Sequence, residues 1–246
     1  MDTSLRDRFT EQWRRYFNGA ELPLAFEYTD DPQDAAPEAP FAGHRCMIGQ
    51  LVKARNGRTL CLDAGSVACR GGKRYLGFVP GMFPGFEQFI SRDAEGRGER
   101  YRRTPGQVGE YIAGLPVLPL TGRYLVFKRW DMLTEKDRPE GVLFFARPDV
   151  LSGLFTLAYY DSDRADAVIA PFGAGCMTTV YQTYREQTEG SLRAVIGMFD
   201  PSARKCLKGD LISFGVPFLK FESMIGQMDE SFLATHSWEI IQKRIN

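Results

Sequence analysis

The chain is expected to fold as one α/β domain: a mixed sheet made of two similar strand-helix-strand-helix halves, with added N- and C-terminal helices. Three observations point there. Short β-branched and aromatic runs alternate with stretches of helical periodicity along the whole chain. The order "LPLAFEY…CMIGQLVKARNG…RTLCLDA…ACRGGKRY" recurs as "GVLFFARP…DVLSGLFTLAYY…ADAVIAPF…GCMTTVYQTY", with Cys69 and Cys176 falling at corresponding strand-to-helix junctions. A length of 246 residues is enough for one large core.

The elements follow in order. Residues 1–20 form an N-terminal helix, because Leu5, Phe9, Trp13 and Phe17 make one stripe and Asn18-Gly19 stops it. The first half, 21–79, holds the strand "LPLAFEYTDD", a helix at "CMIGQLVKARNG", the strand "RTLCLDA" and a helix at "VACRGGKRYLG". The Gly/Pro-rich middle, 80–120, reads as loops around one helix near "TPGQVGEYIAGL". The second half, 121–217, opens with the strands "GRYLVFKRW" and "GVLFFARP", after which Pro148 starts a helix at its favoured first position. "ADAVIAPF", a helix at "GCMTTVYQTYRE" and the strand pair "SLRAVIGMFD" and "DLISFGVP" complete it. The remainder, 218–246, closes as a C-terminal helix through "MDESFLATHSWEIIQKRI". Trp13, Trp130 and Trp238 are expected in the core.

Composition narrows the function classes. There are 31 basic and 31 acidic residues, so no overall field favours nucleic acid or a membrane surface. The charged N-terminus lacks the apolar core of a signal peptide, and no run of about 18 apolar residues is present. With five cysteines, an odd number, a disulfide framework is not expected and a reducing cytoplasm is. The implied partner is a small molecule or a metal, and self-association is compatible with this composition.

Two kinds of candidate site emerge. Cys46, Cys69 and Cys176 each sit at a predicted helix start, where free amides and the helix dipole favour a thiolate, and Arg70, Lys73 and Arg74 surround Cys69. Three such thiols, with His44 two positions before Cys46, suggest a thiolate-bound metal, an iron–sulfur cluster or redox thiols. The alternative is that the cysteines only pack. In that case the turns "CRGGKR" and "FGAGCM" bind a small anion through Arg70, Gly71, Gly72, Lys73, Gly173 and Gly175. Cys61 and Cys206 are expected to be small hydrophobes. Asp200 and Arg204 belong to turn chemistry, and Arg100, Arg102 and Arg103 to a solvated surface. The partial glycine fingerprint in "VIAPFGAGCMTTV" has Thr178 where a third glycine belongs, which argues against a dinucleotide site. With two histidines and no CxxC, neither a Ser-His-Asp arrangement nor a standard zinc motif can be assigned.

"HRCMIGQLVKARNGRTLCLDAGSVACRGGKRYLGF", "GVLFFARPDVLSGL", "FGAGCM" and "ISFGVP" together resemble the uncharacterised ArCR family, a domain of unknown function found in archaea and bacteria. The similarity runs from about Pro23 to Pro217. It implies that Cys46, Cys69 and Cys176 are the family-pattern cysteines, with Cys61 and Cys206 outside the pattern. Where relatives carry a G-C-x-G-S-R-like turn, this chain reads "GMFDPSAR", so the resemblance implies no fourth thiolate here.

Overall fold

A computed structural model describes residues 1–32, 35–40, 45–92 and 98–245. The seven strands among the described residues are β1 (Leu24–Thr29), β2 (Leu60–Leu62), β3 (Tyr124–Arg129), β4 (Gly141–Ala146), β5 (Val168–Ile169), β6 (Ala194–Gly197) and β7 (Ile212–Pro217). They form one mixed sheet in the order β2-β3-β1-β4-β7-β6-β5. Only β5 and β6 run parallel, and every other neighbouring pair is antiparallel. The strand pair expected at "SLRAVIGMFD" and "DLISFGVP" is the antiparallel β6–β7 ladder, with Val195 opposite Gly215.

Alternation along the strands sends side chains to two separate cores. On β1 and β4, Leu24, Phe26, Leu143 and Phe145 enter one core, while Ala25, Val142 and Phe144 enter the other. Both faces are covered, as an α/β architecture requires. One face carries α1 (Thr3–Tyr16), which contributes Phe9 and Trp13 as its stripe predicts. The opposite face carries the short α2 (Met47–Gln50), α3 (Val52–Arg55) and α4 (Arg70–Tyr75). It also receives Tyr111 and Ile112 from α6 (Pro105–Ala113), against which α5 (Phe86–Ser91) packs. Thr104 and Gln107 form a capping box at the start of α6, with Pro105 at the first position. The first face adds α7 (Pro148–Tyr159), begun by Pro148 as expected.

A further helix runs from Gly175 to Thr188 against the second face; its Met177–Tyr181 stretch is π-wound and its remainder is α8 (Gln182–Thr188). α9 (Pro201–Arg204) is a single turn between β6 and β7, capped by Asp200. The C-terminal region departs from the expected single helix. It has α10 (Phe218–Gln227), a tight 3-10 turn over Phe232–Ala234, and α11 (His236–Gln242). Ser231 starts the turn by accepting the Leu233 N–H at 3.4 Å, and the extended Thr235 then begins a new helix. No helix among the described residues is long and apolar enough to cross a membrane.

Candidate functional site

Three cysteine junctions meet on the second face. At the first, α4 starts because Cys69 is extended (φ −73°, ψ 115°) and its Sγ accepts the Gly72 N–H at 3.3 Å. The sulfur occupies the place that a serine or aspartate oxygen takes at an N-cap. A Cβ at position 72 would stand 3.1 Å from the Cys69 Cβ, so glycine lets the thiol close over the turn. The second junction differs. Cys176 is already helical (φ −67°, ψ −29°) and caps nothing, so the two cysteines are not structural equivalents. A Cβ at Gly175 would come 2.6 Å from Ala203 Cβ, and this close approach seats the helix start on α9. At the third, Cys46 is extended ahead of α2.

Between these junctions lies a cavity of about 480 Å³. Cys46, Cys69 and Cys176 all line it, as do Arg70, Gly71, Gly72, Gly173 and Gly175; Lys73 does not. The middle segment supplies the opposite wall, with Phe83, Phe86 and Phe89 from around α5, and Val108 and Tyr111 from α6. Side-chain contacts hold this wall to the rest. The Tyr101 hydroxyl accepts the Ser202 N–H at 2.9 Å and donates to Glu99 Oε2 at 2.8 Å. The Tyr111 hydroxyl donates to the Phe172 carbonyl at 3.1 Å.

Two guanidinium groups belong to the cavity. Arg70 lies 4.3 Å over the Phe83 ring, and Arg102 lies 5.1 Å from Tyr111 and 5.7 Å from Phe172. Neither has a carboxylate partner among the described residues; Arg70 is exposed at the cavity mouth and Arg102 is half-buried. Arg102 therefore leaves the solvated surface assigned to it from sequence. The middle segment folds over the cavity and carries it there, a long-range placement that no local signal announces.

Electrostatics overturn the expectation of thiolates. Burial pushes Cys46 up to about 12, helped by Cys206 and Cys69 and opposed by the Ile48 and Gly49 amides. Burial also raises Cys69, against the pull of the Gly72 and Gly71 amides. Burial raises Cys176 well above the ordinary thiol range, and Cys69, Cys46 and Asp200 add to it. Desolvation outweighs the one or two amides that each helix start offers, so the thiols are neutral. Cys206, expected to stand apart, packs by Gly49 and acts on Cys46.

The cysteines thus share a cavity. Among the described residues no three His, Cys, Asp or Glu side chains are grouped to hold a metal ion. His44 lies outside the described residues. Asp200 is a further cavity residue. Its local hydrogen bonding was expected, since Oδ1 accepts the Ala203 N–H at 2.9 Å and the Ser202 hydroxyl at 2.5 Å, but its place in the cavity was not.

A family model described as Uncharacterised ArCR matches residues 15–227 of the 246. No curated protein and no solved structure matches the chain.

Proposed function

The chain belongs to the uncharacterised ArCR family, a domain of unknown function, and we propose that its cavity binds a small molecule with an apolar, ring-bearing body and an anionic group. What supports this is the pair Arg70 and Arg102, two guanidinium groups in an aromatic-lined cavity with no carboxylate partner among the described residues. A guanidinium stacked on a ring is held in place, and its edge stays free to take two oxygens of a carboxylate, sulfonate or phosphate. Phe83, Phe86, Tyr111 and Phe172 cover the body of the ligand. Gly71, Gly173 and Gly175 keep the wall low, and the three neutral thiols form a soft apolar surface. A volume near 480 Å³ falls within the usual range for small-molecule sites.

The test uses two fluorescent probes of the same shape, anilinonaphthalene sulfonate and the uncharged N-phenylnaphthylamine. Both should bind the wild-type protein with one-to-one stoichiometry and raised emission. Replacing both arginines (Arg70→Gln, Arg102→Gln) should weaken the sulfonate by about tenfold or more and leave the uncharged probe within about twofold. Gly71→Leu, which places a side chain toward Phe86, should block both. Equal effects of the arginine pair on the two probes, or none on either, overturns the proposal.

A further inference from the structure

The cavity wall contains a carboxyl group that the arginines do not explain. Asp200 is 1% exposed, and while its Oδ1 caps α9, its Oδ2 is buried without a hydrogen-bond partner. No cationic side chain pairs with it among the described residues. Cys69, Cys176 and Tyr75 are electrostatic neighbours of it and line the same cavity, whose cations, Lys205 among them, form no ion pair with it among the described residues. Buried carboxyl oxygens are ordinarily satisfied, and among the buried side-chain atoms without a partner in the described residues Oδ2 is the one that belongs to a cavity-lining residue.

The backbone around it reinforces this. Met198, two residues earlier, is fully buried in the left-handed region at φ 69°, where a side chain that long is rarely found. Its N–H is held by the Thr178 hydroxyl at 3.2 Å, which fixes the turn from the cavity-lining helix. Strain of this kind collects where a side chain must be placed. A cap alone would not need it, since asparagine, serine and threonine cap equally well in relaxed turns.

We infer that the ligand is amphoteric: besides its anionic group at Arg70 and Arg102, it presents an N–H or ammonium donor to Asp200 Oδ2. The inference rests on the proposed anion-binding cavity and adds the polarity of the ligand's other end. The excluded class is a plain aromatic or fatty acid, which would leave the carboxyl unanswered.

Calorimetry with two probes tests it: naphthoate, and an aminomethylnaphthoate with ammonium and carboxylate on opposite rings. Wild type should bind the aminomethyl compound about tenfold or more tightly than naphthoate, a hydrogen bond to a charged group being worth that much. Asp200→Asn keeps a capping oxygen but turns the orphan acceptor into a donor, so it should erase the preference and leave naphthoate within about threefold. Asp200→Ser, which caps without a second oxygen, serves if the asparagine variant does not fold; if neither folds, the wild-type preference decides. Naphthoate binding without any preference, or a preference that survives at position 200, overturns the donor inference and leaves the anion site standing. Failure of both probes to bind wild type overturns the cavity proposal itself, and the inference with it.

Discussion

Cys46 shows how burial decides a residue's chemistry. It has a helix start behind it and Arg45 beside it, the setting that lowers a thiol, yet its value is pushed up to about 12 by burial and by Cys206. The Ile48 and Gly49 amides cannot offset the loss of water around a sulfur anion. At neutral pH Cys46 should therefore react with iodoacetamide at least about tenfold more slowly than a free thiol. Peptide mass spectrometry of timed alkylations reads this directly, and a rate equal to that of glutathione refutes it. Position was legible at this scale and chemistry was not. "CRGGKR" and "FGAGCM" announce turns that line one cavity, because glycine and cysteine mark junctions locally. The state of each thiol depends on Phe83, Tyr111 and other side chains far along the chain, and no window of sequence contains them.

Among the elements, α7 and α11 illustrate how packing overrides propensity. Gly153 sits inside α7, where alanine would favour the helix by about 1 kcal/mol. Its missing Cβ, however, is the space filled by the Trp238 ring of α11, and an added Cβ would lie 2.8 Å from Phe17 Cε1. Trp238 is anchored there by its Nε1–H to the Tyr16 carbonyl at 3.0 Å. Overpacking of this kind costs about 1–3 kcal/mol, so after the propensity gain of about 1 kcal/mol Gly153→Ala should lower stability by up to about 2 kcal/mol net. Urea melts decide it, and a stabilised variant would show that propensity governs instead. The helices with clear stripes or caps, α1, α6 and α7, could be read from Phe9 and Trp13, Thr104 and Pro148. α5 could not, since Gly85 and a Phe-rich run give no helical period, whereas β5 lies within the expected strand "ADAVIAPF" although only two residues long. The break between α10 and α11 hinges on the Ser231 cap and on the extended Thr235, whose hydroxyl donates back to the Phe232 carbonyl.

For the whole molecule, the buried neutral groups make stability depend on alkali. Cys46 and Cys61 are raised from 9.0 to about 12 and about 11, both chiefly by burial. A group with a higher value folded than unfolded leaves stability intact below the unfolded value; stability is then lost as the pH rises toward the folded one. The melting temperature, measured in reductant, should hold to about pH 9 and fall steadily between 9 and 12, less steeply in Cys46→Ala. A flat profile to pH 11 contradicts the burial of these thiols. The α/β class and both covered faces were readable from alternating patterns, whereas the strand order was not, because β-ladders join residues by register and leave no local trace. That order has a consequence for how the chain comes together during synthesis. Among the described residues β1 pairs with β3 and β4 alone, and β2 with β3 alone. Until Tyr124 and its successors are available, the first two strands have no ladder to join, although the segments bearing Cys46 and Cys69 are already complete. Sheet formation waits on a partner about 100 residues downstream, a closure that is entropically slow. The ligand cavity is accordingly among the last features the growing chain can assemble.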